Sequence, residues 1–164
     1  MINIFIRIFI FWAATFLLSV SASAGQLMSR NALTLDVAKQ MAAVAMQYTI
    51  KQKGLAVIVV MDDGGHLLYL ERMDDAPLGS IDAAIGKARS AVMYQRPTEV
   101  FQKMMEEGHT NVLGISGLVP WGGGVPVMWQ GHMIGAIAVS GMSPEQDAAA
   151  ASLAANTISG IVGR

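Results

Sequence analysis

Two apolar segments joined by a glycine turn constrain the fold of this chain more than any other feature. Residues 55–61 are apolar at every position, residues 67–70 form a second apolar run, and Gly64 and Gly65 lie between them. This pattern predicts a β-hairpin, because glycine supplies the positive φ that a tight reversal needs. Since the first strand has no polar position, we expect it at the centre of a sheet that is covered on at least one face.

A second hairpin is predicted later in the chain. Gln130 and Gly131 separate the apolar residues 127–129 from residues 133–140, and the glycine at position 135 marks a close approach of the backbone to a neighbour. Residues 113–119 form either a fifth strand or an irregular segment. We therefore predict an α+β fold with an antiparallel sheet, rather than a doubly wound parallel sheet.

The remaining segments have the apolar periodicity of amphipathic helices, and each begins at a residue that caps helices. The predicted helices are residues 35–52 after Thr34, residues 81–95 after Ser80, a short helix to residue 107 after Thr98, and residues 144–161 after Ser143. The second and the last are rich in alanine and other small residues. Because one short sheet covers less apolar surface than they offer, we predict a homo-oligomer, at least a dimer.

Length and charge exclude some classes of protein. A chain of 164 residues suits one domain with a substantial core, and a net charge of −1 gives no electrostatic footprint for nucleic acid. The absence of cysteine excludes disulfides and thiolate metal sites. The 3 histidines have neither the HxH nor the HExxH spacing, so we expect no zinc site.

Residues 1–24 have the pattern of a secretory signal peptide. Arg7 is the only charge, the apolar residues 8–20 follow, and Ala22 and Ala24 make the small-x-small pattern that signal peptidase accepts. The alternative is an uncleaved anchor, since the apolar stretch is nearly long enough to span a bilayer. We expect cleavage after Ala24, a single mature domain of residues 25–164 with no membrane span, and a periplasmic or secreted location.

The charged end of the first hairpin indicates either a surface turn or the rim of a site. Arg72 and Asp74 stand there, just before the helix that carries Lys87. If Lys87 points inward it needs a partner, and Asp62, Asp74 or a ligand carboxylate could serve. In the competing interpretation, Arg72 and Asp74 merely pair across a turn.

A run of three glycines is the other candidate for this site. The residues are Gly122, Gly123 and Gly124. Their backbone N–H groups could bind an anion, or the run could be a flexible turn. We predict that Arg72, Asp74, Lys87 and this run meet at one ligand-binding pocket that suits a carboxylate. On this hypothesis, Lys87→Met would weaken ligand binding and leave the melting temperature nearly unchanged.

Several motifs in a fixed order resemble the GlcG/HbpS family of haem-degrading or haem-binding-protein-like domains. The resemblance extends from about Leu33 to the end of the chain. The segments that carry it are residues 61–67, 72–76, 87–88 and 122–126, Gly131, and residues 135–141 and 146–147. The chain departs from the usual pattern at Ala138, where the family has glycine, and the extra methyl narrows the space that this strand faces.

The resemblance implies a profilin-like α+β fold, with a five-stranded antiparallel sheet, helices around it and assembly into dimers or larger rings. It also implies a haem or another tetrapyrrole ligand and redox sensing in some members. Other members accompany glycolate-utilisation enzymes or form the C-terminal domain of PduO-type corrinoid proteins. The shared motifs do not fix a haem ligand, and His66 and His132 are the candidates in this sequence.

Three functions stay open from the sequence. The first is an exported haem-binding protein that handles haem or senses redox state. The second is an enzyme or receptor for a small organic acid, whose carboxylate would pair with Arg72 or Lys87. The third is an oligomeric sensory partner protein. The resemblance favours a binding protein over an enzyme.

Overall fold

Antiparallel strands form the centre of the computed structural model, which describes residues 30–163. The strands are β1 (Val57–Asp62), β2 (Leu67–Arg72), β3 (Gly124–Trp129) and β4 (His132–Ser140). Within these residues they form one 4-stranded sheet in the order β2-β1-β4-β3. Both predicted hairpins are confirmed, and β1 lies between two neighbours as its unbroken apolar sequence indicated.

Helices cover both faces of this sheet. They are α1 (Leu35–Lys51), α2 (Gly79–Tyr94), α3 (Glu99–Glu106), α4 (Pro144–Asn156) and α5 (Ile158–Val162). Caps at Thr34 and Ser143 are confirmed, since each side chain accepts an N–H of the first turn. Ser80 does not cap, because α2 already begins at Gly79. The predicted last helix divides at Thr157, which ends α4 and precedes α5.

The two faces of the sheet have separate apolar cores. On the α1 face, Ile58 and Val60 of β1 pack with buried alanines of α1 and α4. On the α2 face, Val57, Val59 and Met61 pack with the alanines of α2. Alternate side chains of a strand point to opposite faces, so β1 contributes to both cores. The predicted small-residue character of α2 thus serves its close approach to the sheet.

The strand β4 has an irregularity at Gly135. A Cβ at this glycine would collide with the carbonyl of Met61 on β1, so the predicted close approach is confirmed. Ile134 and Ile137 both lie in the α1-face core, which means that the alternation of side chains shifts by one residue here. Ala138 pairs with Val59 and is completely buried, and its methyl therefore packs in the core beneath α2.

The predicted fifth strand is not present among the described residues. Residues 113–119 instead finish a 3-10 helix (Thr110–Gly114) and continue as a loop beside α2. Side chains of α2 satisfy the backbone of this loop: Ser90 Oγ accepts the N–H of Val119 at 2.9 Å, and the Tyr94 hydroxyl donates to the Ser116 carbonyl at 2.5 Å. Because these groups are already paired, the segment needs no strand partner.

The predicted signal peptide, residues 1–24, lies outside the described residues. In the part of the chain that the structure describes, no helix is both long enough and apolar enough to cross a bilayer.

Candidate functional site

Lys87 is a buried cation whose partner is Asp147. The Lys87 Nζ lies 3.0 Å from Asp147 Oδ2 and donates to the Val139 carbonyl at 3.2 Å. Lys87 is 2% exposed and Asp147 is 1% exposed. Lys87 thus faces inward, and its partner in the chain is neither Asp62 nor Asp74. Asp147 reaches it from the first turn of α4, which only the tertiary fold brings beside α2.

The carboxylate of Asp147 is also bonded to the turn between β4 and α4. Its Oδ1 accepts the N–H of Met142 at 3.1 Å, and its Oδ2 accepts the N–H of Gly141 at 3.4 Å. The ion pair therefore connects α2, β4 and α4 at one buried point. Because each charge compensates the other, breaking the pair from one side would leave an isolated buried charge, which costs about 3–5 kcal/mol.

The three glycines of residues 122–124 are buried, and Gly123 and Gly124 pack against the residues of this ion pair. A Cβ at Gly123 would lie 3.0 Å from Lys87 Nζ and 2.9 Å from Asp147 Cβ, and a Cβ at Gly124 would collide with the Lys87 carbonyl. Glycine is required here because the backbone approaches closer than a side chain allows. The run is thus a buried and closely packed turn that leads into β3.

Hydrogen bonds fix the backbone of this loop. Gly122 donates its N–H to Gln102 Oε1 at 2.8 Å, and Gly124 donates to Thr98 Oγ1 at 2.9 Å. The Thr98 hydroxyl in turn donates to the Trp121 carbonyl at 2.6 Å. Thr98, predicted as a helix cap, holds the loop instead. Two of the three glycine N–H groups already have acceptors in the chain, and a role in anion binding stays a prediction.

Arg72 and Asp74 lie away from this loop. Arg72 ends the edge strand β2, whereas Gly124 begins β3 at the opposite edge. Three strand spacings of about 4.8 Å separate these edges, or about 14 Å. The structure therefore brings Lys87 together with the glycines, but not with Arg72. Asp74 is exposed in the connection that follows β2.

His66 and His132, the predicted haem-ligand candidates, are exposed at the two hairpin turns, at the other end of the sheet. His66 Nδ1 lies 3.2 Å from Asp62 Oδ2, and the backbone N–H of His66 donates to Asp62 Oδ1 at 2.8 Å. Partial burial acts to raise the pKa of Asp62, but the hydrogen bonds from His66 and Gly64 together hold this pKa below its ordinary value.

An apolar surface, which we call the β2–α2 trough, lies on the α2 face beside the edge strand β2. Its half-buried members all pack against the α2-face core: Leu70, Met73, Ile81 and Ile85. The helix α2 packs mainly on β1, β3 and β4, and the side chains of this surface stay half-buried between it and β2. The trough was not predicted, although the four-residue spacing of Ile81 and Ile85 was a signal.

A concavity lies between α1 and the last two helices, α4 and α5. It is an open groove of about 580 Å³ whose lining includes Gln40, Val44, Gln47, Asn156 and Ile161. Its lining contains no charged side chain. The groove therefore offers no cation to an acidic ligand.

Comparisons with known proteins agree on one family. The model of the family "Haem degrading protein HbpS-like" matches residues 33–156. Protein GlcG of Escherichia coli (strain K12) is 38% identical over 109 residues, which cover 66% of this chain and 81% of that protein.

Solved structures share the fold. A double mutant of Streptomyces reticuli HbpS superposes with a TM-score of 0.74 at 31% identity, covering 85% of this chain and 95% of that one. The PduOC:heme complex superposes with a TM-score of 0.70 at 27% identity, covering 78% of this chain and 96% of that one.

Proposed function

This chain belongs to the family of HbpS-like haem-degrading proteins, and on that premise we propose that it binds haem or a related tetrapyrrole. The observation that carries the proposal is the likeness to the PduOC:heme complex, which extends over 96% of that chain. The β2–α2 trough supports it, because a macrocycle needs an apolar surface of this kind. When bound, haem would supply an iron centre for ligand binding or electron transfer.

The buried ion pair favours binding over turnover. Lys87 and Asp147 would be the natural acid–base candidates of an enzyme. Both are buried and occupied by each other and by the backbone of β4 and its following turn. Neither can reach a ligand in the trough without breaking the pair, so their part in function is to hold the framework.

The finer features of the proposal come from the sequence. We propose that the protein is exported with cleavage after Ala24, that its sheet is the core of a profilin-like fold, and that it acts in haem handling or redox sensing. His66 and His132 stay candidates for the iron ligand. We also propose a homo-oligomer, and a monomeric mass by light scattering at micromolar concentration would contradict it.

Titration of the mature chain with hemin tests the proposed function. We expect a shifted and sharpened Soret band that saturates, and co-elution of protein and haem from a sizing column. The heat-unfolded chain is the control for adsorption to exposed apolar surface. A spectrum that stays that of free hemin at all protein concentrations would refute haem binding.

A further inference from the structure

We propose that the β2–α2 trough is the ligand seat and that Arg72 and Arg89 bind the two carboxylates of the ligand. This inference rests on the proposed function and extends it. The expected ligand is a flat apolar macrocycle that carries two carboxylates.

The strand wall of the trough follows from the register of β2. Leu70 pairs with Val59, whose side chain lies in the α2-face core, and residues directly opposite in an antiparallel pair point to the same face. Arg72 pairs with Val57 of that same core. The Arg72 side chain therefore leaves β2 on the α2 face, two residues beyond Leu70 on the same wall.

The helix wall follows from the spacing along α2. Ile81, Ile85 and Arg89 are four residues apart, so they form one stripe of the helix. The loop that contains Val119 covers the opposite flank of α2. Ser90 accepts the N–H of Val119 there, and a Cβ at Gly86 would collide with the Val119 side chain. The stripe of Ile81 thus lies on the flank that borders β2, and Arg89 is its exposed member.

Met73 closes the end of the trough where β2 leads into α2. Its Sδ accepts the N–H of Ala56 at 3.4 Å, and its own N–H donates to the Ala56 carbonyl at 3.1 Å. These two bonds hold the connection after β2 against β1. The position of Arg72 beside the trough is therefore set by the sheet and by Met73 together.

Charge complementarity identifies the ligand. Among the described residues, no ion pair involves Arg72 or Arg89, whereas Lys87 and Lys103 both have carboxylate partners. Two exposed guanidinium groups thus border one apolar surface, one on each wall. Arginine binds carboxylates through parallel N–H groups, and a macrocycle with two carboxylates would satisfy both cations while it covers the apolar surface.

Hemin and hemin dimethyl ester separate the two parts of this proposal, since the ester lacks the free carboxylates. We expect Arg72→Gln and Arg89→Gln each to weaken hemin binding about fivefold, and the double variant at least about tenfold, with ester binding unchanged. A matched control, Lys39→Gln with Arg96→Gln, removes the same charge elsewhere and should leave both affinities unchanged. Ile85→Gln, checked for folding by its melting curve, should weaken both ligands.

Three results would each contradict a different part of the proposal. If the double arginine variant binds hemin as the wild type does, or loses hemin and ester equally, the arginines do not bind the carboxylates. If Ile85→Gln binds both ligands normally, the trough is not the seat. If the wild-type chain binds neither hemin nor ester, the proposed function itself fails.

Discussion

Gly123 packs its bare backbone against the buried ammonium of Lys87, so that a Cβ at Gly123 would lie 3.0 Å from Nζ. The same Cβ would lie 2.9 Å from Asp147 Cβ. The loop, the ion pair and the start of α4 therefore form one packed unit. A methyl group at this position can fit only if the unit opens.

Gly123→Ala should destabilise the protein strongly. Its φ of +124° is unfavourable for any residue with a Cβ, and the new methyl would collide with the Val139 carbonyl. We expect a loss of about 3 kcal/mol or more in the free energy of unfolding, measured in urea. Gly160→Ala is the control, because a Cβ there meets nothing within 4 Å. Equal stabilities of the two variants would contradict the packed unit.

Lys87→Met should unfold the protein more readily, which reverses the expectation drawn from the sequence. It leaves Asp147 buried and unpaired, at a cost of about 3–5 kcal/mol. Adding Asp147→Asn removes the uncompensated buried charge and keeps a side-chain oxygen that can accept the Met142 N–H. The double variant should therefore be more stable than Lys87→Met alone in urea unfolding. Additive losses would show that the two residues are not coupled.

Thr98→Val should loosen the glycine loop. The substitution keeps the shape of a completely buried side chain but removes the acceptor of the Gly124 N–H and the donor to the Trp121 carbonyl. We expect a loss of about 1–3 kcal/mol and faster hydrogen exchange at the Gly124 amide. Thr157→Val, at a half-buried hydroxyl, should leave that amide protected. Unchanged exchange at the Gly124 amide in Thr98→Val would show that the Thr98 hydroxyl does not hold the loop.

Asp62→Asn should lower stability at neutral pH and have less effect in acid. Hydrogen bonds hold the pKa of Asp62 below its ordinary value of 3.8. A carboxylate with a lowered pKa in the folded state stabilises it above the unfolded pKa, and this stability is lost as the pH falls through the folded pKa. Urea unfolding of the wild type and of Asp62→Asn, at pH 7 and in steps below pH ~4, measures the difference in their free energies of unfolding. A difference that is constant with pH would refute a charge effect.

The native N-terminus should be Gly25. The apolar residues 8–20, followed by Ala22 and Ala24, predict removal of residues 1–24 on export. Mass spectrometry of the protein from its native host measures this directly. An intact Met1 in a membrane fraction would show an uncleaved anchor instead.

The sequence by itself determined the features that depend on neighbouring residues. Both hairpins, the caps at Thr34 and Ser143 and the central place of β1 follow from turn chemistry, capping and apolar periodicity. Each of these is indicated by residues only a few positions apart along the chain, so the pattern can be recognised from the sequence. The ordered motifs added the family, which no single residue could.

Only the tertiary structure decided which groups the charged residues and the loop glycines contact. Lys87 and Asp147 are sixty positions apart along the chain, and no local pattern in the sequence indicates that they pair. The same holds for Thr98, whose predicted capping oxygen is taken by a loop more than twenty residues away. Arg72 lies far from the glycines because strand order, which a sequence does not display, places β2 and β3 at opposite edges. Burial stabilises such distant contacts only after the strands have assembled. These contacts therefore produce no periodic pattern in the sequence.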